Sequence, residues 1–158
     1  MTAVARDGAS VRVPPPLVYL AAVIAGALVQ RYLFPLSLDL PRGIRFATAA
    51  AAAAIGFGVM AAAVGLFRRT GQDPKPWIST PEIISTGVYR ITRNPMYVGM
   101  ALLQVGYGVA RANGWIIALI PVVLAAVYAT AVRHEEAYLE EKFGAAYLTY
   151  KSSVRRWI

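Results

Sequence analysis

The chain has 158 residues, 58% of them hydrophobic and 15% charged, with a formal net charge of +8. That length suits one domain, and the apolar content excludes an ordinary soluble fold, pointing to a single integral membrane domain. The absence of cysteine excludes disulfides, thiolate metal ligands and a cysteine nucleophile. With one histidine, and carboxylates clustered only in the C-terminal tail, no metal is expected.

Residues 1–13 read as a disordered basic tail carrying Arg6 and Arg12, and residues 14–158 as one all-α transmembrane domain. No small-residue cleavage site precedes the first apolar stretch, so a retained helix is expected rather than a signal peptide. Crossing a bilayer takes about 20 apolar residues. The first span is placed at 17–38, with Pro14-Pro15-Pro16 stiffening its entry and only Gln30-Arg31 interrupting it near one end. Pro35, Asp39 and Pro41 make the turn that follows.

The second span, 44–67, carries one charge, Arg45 at its start, and Ala50, Ala54, Gly58 and Ala62 repeat at four-residue spacing. A small-residue stripe of this kind lets two backbones approach closely in lipid. Residues 68–94 form a long loop with Gly71, Pro74, Pro76, Pro81 and Gly87. Its apolar pairs Trp77-Ile78 and Ile83-Ile84 argue against disorder, favouring a lid with parts against the membrane surface.

Asn94-Pro95 is a helix-start signal, the asparagine oxygen capping the first turn of a third span at 95–110. Tyr97, Gln104 and Gly108 fall on one face of that helix. A glutamine at membrane depth is costly unless paired, so Gln104 either bonds a neighbouring helix or lines a polar tunnel. Arg111-Ala112-Asn113-Gly114 makes a tight hairpin into a fourth span at 115–135, whose stretch Trp115–Val132 carries no charge.

The adjacent carboxylates Glu135 and Glu136 oppose the helix dipole and call for a cation or donor nearby, with Arg133 or Lys142 as the simplest partner. Gly144 breaks the helix. A C-terminal segment, 145–157, then places Tyr147, Tyr150, Val154 and Trp157 on one face, the pattern of an amphipathic helix in the membrane interface. With four spans, the basic residues fall mostly on one side, and Arg31, Arg42, Arg45 and Arg111 fall on the other. That asymmetry places both termini and any active site in the cytoplasm and makes membrane, not nucleic acid, the partner of the positive charge. Oligomeric state leaves no trace in the sequence.

Three blocks carry a resemblance to a known family. Ser85-Thr86-Gly87-Val88-Tyr89-Arg90 followed by Arg93-Asn94-Pro95-Met96-Tyr97-Val98-Gly99 resembles a G-x-Y-R … R-[HN]-P-x-Y-x-G signature. Glu135-Glu136, Phe143-Gly144, Tyr147, Tyr150 and Val154 resemble an E-E … F-G-x-x-Y-x-x-Y-x-x-x-V tail, and Gly56-Phe57-Gly58 resembles a G-x-G in the helix before. Together, over roughly residues 56–157, they resemble the integral membrane methyltransferases that include the isoprenylcysteine carboxyl methyltransferases and the phospholipid N-methyltransferases. Asparagine before the proline resembles the phospholipid enzymes, and the tail resembles the prenylcysteine type.

The resemblance implies S-adenosyl-L-methionine as cofactor, with contacts at Asn94, Tyr97, Gly99, Glu135, Glu136, Gly56, Gly58 and Tyr89. It implies Glu135, Glu136 and Arg93 as the catalytic groups and a lipophilic acceptor entering from the bilayer past Gln104 and Tyr128. Paired carboxylates suit the cofactor's cationic and hydroxyl donors, and Asn94 with a helix N-terminus suits its carboxylate. Transfer to a carboxylate or thiolate needs alignment and dryness; transfer to an amine needs a base such as a glutamate or His134. Two rivals stand beside this reading. One is an NADPH-dependent reductase of the intramembrane sterol type, for which 158 residues leave little room. The other is a non-enzymatic lipid-binding scaffold.

Overall fold

The computed structural model describes residues 9, 11, 13–75 and 78–158. Most of the expected basic tail, Arg6 and Arg12 included, and Trp77 of the expected lid lie outside the described residues. Among those described the protein is all-helical, and its one β-bridge joins Ser37 to Asn113.

Helix α1 runs Pro15–Tyr32, shorter than the expected 17–38. Its end is set by Gln30, which accepts from Leu36 N at 2.8 Å and donates to Ser37 Oγ at 3.2 Å, folding the chain back before Pro35. The polar residue that looked like an interruption thus builds the return loop. Helix α2, Arg42–Arg69, follows, and beyond a loop with a 3-10 turn at Gly87–Arg90 comes α3, Pro95–Ala110.

The last helical run, Gly114–Phe143, is nearly continuous. It comprises α4 (Gly114–Ala118), α5 (Ile120–Val127), a π-helical turn at Tyr128–Val132 and α6 (Arg133–Phe143). Glu135 and Glu136 therefore stand at the start of α6, not at the end of the helical run. Asn113 starts the run by accepting from Trp115 N at 3.0 Å and Ile116 N at 3.3 Å, and its amide donates to the Gly26 carbonyl. Gly144, at φ 52°, makes the bend into α7, Ala145–Ser153, with a backbone that side chains rarely adopt. The expected C-terminal helix to residue 157 ends four residues early, and the tail beyond Ser153 runs back to the start of α3.

Among the described residues, two segments are long and apolar enough to cross a membrane, Arg42–Arg69 and Gly114–Phe143, with mean hydropathy of 2.1 and 2.4. Less than a third of either stretch is buried. Ile44, Ile55, Phe57 and Val122 are exposed, so both segments present apolar surface outward.

Helices α2 and α3 pack antiparallel at close range. A Cβ placed on Gly56 would lie 2.8 Å from the Gly99 carbonyl, and one on Gly106 would lie 2.9 Å from the Ala49 carbonyl. The packed stripe of α2 is Ala49, Gly56 and Ala63. The expected stripe of Ala50, Ala54, Gly58 and Ala62 faces outward. In an alanine-rich helix every face offers small residues, and the partner decides which is used.

Candidate functional site

The start of α3 and the start of α6 meet around a cleft beneath the α2–α3 loop, open to solvent. Its polar lining includes Gln72, Arg93, Asn94, Tyr97, Glu135, Tyr138, Tyr147 and Tyr150, and its apolar lining includes Phe67, Ile84 and Met96. The loop contributes through Ile84 and Tyr89, which pack with Ala63 and Leu66 of α2. Ile84 is therefore core and cavity wall, not a membrane-surface contact as expected. The loop is pinned to α6 from above: Thr80 N donates to Tyr138 Oη at 3.2 Å, and Lys142 Nζ donates to Ser79 Oγ at 2.7 Å.

Tyr97 is the junction of the site. Its hydroxyl donates to Glu135 Oε1 at 2.5 Å, and its carbonyl accepts from the Tyr19 hydroxyl of α1 at 2.8 Å. Three helices thus fix one carboxylate at the cavity wall.

Glu136 turns away from the cavity into a cluster of cations. Arg156 grips it with two bonds, Nε at 3.0 Å and Nη2 at 3.1 Å, and Arg93 Nη1 faces Oε1 at 3.1 Å, off the hydrogen-bonding direction. Lys151 stands 3.9 Å away and bonds Glu140. The expected partners Arg133 and Lys142 are replaced by residues distant in sequence. A buried carboxylate needs such compensation.

Asn94 does not cap α3. Its side chain accepts no first-turn amide, and its Nδ2 donates to the Arg156 carbonyl at 3.0 Å. Thr92 Oγ1 bonds the same carbonyl and Arg93 N bonds the Arg155 carbonyl, so the segment before α3 clamps the C-terminal tail. The aromatic face expected at the headgroups likewise packs inward: Tyr147 is buried at the cavity, and Tyr150 donates to the Tyr89 carbonyl.

Burial shapes the acid–base character of these rings. It pushes the Tyr147 phenol up to about 12, with the Glu136 charge adding and the Arg93 charge opposing. Burial also raises Tyr150, aided by Tyr147, and raises Tyr89, aided by Tyr150 and Glu135. The Arg156 guanidinium is raised by its bond to Glu136, against a smaller desolvation effect. All four keep their ordinary protonation at neutral pH, the phenols as neutral donors.

Other expected site residues lie elsewhere. Gly56 and Gly99 touch each other's helices, and Gly58 has open space around it; none of the three lines the cavity. Gln104 is buried and donates to the Ile116 carbonyl at 2.7 Å, the helix-bonding alternative of the two open for it. Tyr128 lies on the outer side of the π-turn with the Arg156 guanidinium 4.5 Å above its ring. His134 accepts from Arg133 Nε at 3.2 Å and does not line the cavity.

The sequence reading missed Gln72. Its side chain is buried at the cavity wall and neither amide atom has a hydrogen-bond partner, although its backbone N–H is bonded. A buried amide without partners costs about 1–3 kcal/mol. Arg93 pairs with Glu136, but its Nε is shielded from solvent and without an acceptor. Both residues line the cleft and leave polar atoms without a hydrogen bond. Among the described residues no group of His, Cys, Asp or Glu could hold a metal.

The sequence profile of a family described as phospholipid methyltransferase matches residues 44–146. The chain is 35% identical over 72 residues to protein-S-isoprenylcysteine O-methyltransferase A of Arabidopsis thaliana, 46% of this chain and 36% of that one. It is 33% identical over 73 residues to the B form from the same plant, 46% and 37% of the two chains. To the protein-S-isoprenylcysteine O-methyltransferase of Saccharomyces cerevisiae it is 33% identical over 72 residues, 46% and 30% of the two chains. The matches span about a third of the length of these curated relatives.

Proposed function

The chain belongs to the phospholipid methyltransferase family, and from that premise we propose that it is an integral membrane methyltransferase that uses S-adenosylmethionine and a lipophilic acceptor. The observation that carries this reading is the partnerless amide of Gln72, with the unpaired Nε of Arg93, in the same cleft as the Tyr97–Glu135 bond.

The donor set fits the cofactor. A carboxylate such as Glu135 suits ribose hydroxyls or an ammonium group, and the Gln72 amide has both a donor and an acceptor to offer a nucleoside. The free Nε of Arg93 suits a carboxylate. Bound there, the cofactor supplies an electrophilic methyl group. The protein's own contribution is placement and dryness. Tyr97 holds Glu135 in one orientation, the Ile84–Tyr89 wall and the pinned loop limit water, and the neutral phenols of Tyr147 and Tyr150 add no competing nucleophile. For an amine acceptor Glu135 is the group placed to take the proton; for a carboxylate or thiolate none is needed.

We also propose the membrane arrangement: α1, α2, α3 and the Gly114–Phe143 run as four crossings, the cleft and both termini on the cytoplasmic side, and α7 along that surface with Leu148 outward. Acceptors whose reactive group is a carboxylate, thiol or amine on an apolar body would reach the cleft from the bilayer. The relatives' name, isoprenylcysteine O-methyltransferase, favours the carboxylate.

The test is calorimetric titration of the purified full chain with S-adenosylhomocysteine and, separately, NADPH, followed by incubation with labelled cofactor and membrane lipid extract. Saturable binding of the first alone, with label in an extractable lipid, is expected. Binding of NADPH alone, or of neither, would defeat the proposal.

A further inference from the structure

The four arginines at the end of the bundle away from the cleft remain unexplained by catalysis. Arg45 stands one turn before Ala49 on α2, and Arg111 follows α3 just past its Gly106 contact with Ala49, so the antiparallel packing brings both to one rim. Bonds from Leu38 N to the Ala112 carbonyl at 3.2 Å and from Gly114 N to the Leu36 carbonyl at 2.7 Å lay the α1–α2 connection across the same rim, carrying Arg31 and Arg42 with it.

This rim is electrostatically unfinished. Asp39 is the sole acidic residue in this part of the sequence, and among the described residues no ion pair involves Arg31, Arg42, Arg45 or Arg111. Arg42 and Arg45, three apart on α2, both stack on Phe46, at 5.9 and 5.2 Å from its centroid. Like charges so spaced on a helix repel. They also stand at the positive end of the helix dipole, in a first turn with no acidic residue and no side-chain cap. Arg45 Nε is shielded from solvent and has no acceptor. Around them Tyr32, Leu33, Phe34, Phe46 and Tyr107 are exposed, a belt of apolar and aromatic surface.

We propose that this rim binds an anionic phospholipid of the leaflet it faces, its phosphodiester taken by Arg42, Arg45 and Arg111 and its acyl chains lying on the exposed belt. Guanidinium groups match phosphate oxygens two at a time, and an anion between Arg42 and Arg45 relieves their repulsion and gives Arg45 Nε its acceptor. A soluble anion would satisfy the arginines but leave the apolar belt bare, so the lipid fits both features.

The experiment uses the full chain in nanodiscs of phosphatidylglycerol or phosphatidylcholine, with native mass spectrometry of retained lipid and thermal unfolding in each. Wild type is expected to retain phosphatidylglycerol and unfold at higher temperature in it. Arg42→Gln/Arg45→Gln should lose about tenfold or more of the retained lipid, the scale of removing two lipid-directed cations, together with the thermal difference. Arg42→Lys/Arg45→Lys, which keeps the charge and serves if the glutamine variant fails to fold, should fall between. Equal retention of both lipids by wild type, unchanged retention in the variants, or a thermal shift reproduced by inorganic phosphate would overturn the proposal. S-adenosylhomocysteine affinity should be the same in all variants, which separates this test from that of the cleft.

Discussion

Tyr97 and Glu135 share a hydrogen bond that joins the first turn of α3 to the first turn of α6. It aims one carboxylate at the cleft, while the next residue, Glu136, is bound by Arg93 and Arg156 on the other side of the helix. Adjacent residues with the same side chain thus do different work.

Glu135→Gln should weaken S-adenosylhomocysteine binding at least tenfold while leaving the unfolding temperature close to wild type. Glu136→Gln should do the reverse, leaving two guanidiniums without their counter-charge. Breaking a buried pair costs about 3–5 kcal/mol, and the lower end applies because a third of the Arg156 side chain is in solvent. Thermal unfolding and calorimetry on both variants check the division. Loss of affinity in both with equal stability would refute it.

Tyr97→Phe removes the donor to Glu135 and nothing else from the cavity wall. Hydrogen bonds to charged groups are worth about 1.5–3 kcal/mol, so an affinity loss of roughly ten- to a hundredfold is expected. Calorimetry at fixed pH measures it, and an unchanged dissociation constant would mean that the bond does not organise the ligand site.

Gln72→Leu exchanges a partnerless buried amide for an apolar side chain of similar size. The substitution should raise the unfolding temperature of the free protein and lower its ligand affinity. A variant less stable than wild type would show that the Gln72 amide is already satisfied without ligand.

Gly56→Ala puts a methyl group 2.8 Å from the Gly99 carbonyl, whereas Gly58→Ala points one into open space. Overpacking costs about 1–3 kcal/mol. Gly56→Ala should therefore lower stability, and Gly58→Ala should alter neither stability nor ligand affinity. A specific affinity loss in Gly58→Ala would return that glycine to the binding site.

Arg93, Tyr97 and Glu135 were readable because polar residues stand out in a chain this apolar, and their spacing matches a family signature. The bond between Tyr97 and Glu135 groups two of them at one end of the bundle, where a four-span reading also places them. Gln72 was not readable, because one glutamine in a polar loop signals nothing until folding buries it. The partners of Glu136 were equally hidden, since the nearest cations in sequence, Arg133 and Lys142, lose to Arg93 and Arg156 once the tail folds back. Asn94 carried a strong local capping signal, but its amide serves the Arg156 carbonyl instead. In each case a tertiary contact overrode a local preference.

The most direct measurement is structure determination of the full chain in nanodiscs with S-adenosylhomocysteine. The account expects ligand density in the cleft, with a hydrogen bond to the Gln72 amide and another to Glu135. Density elsewhere in the protein, with Gln72 still unpartnered, would contradict it.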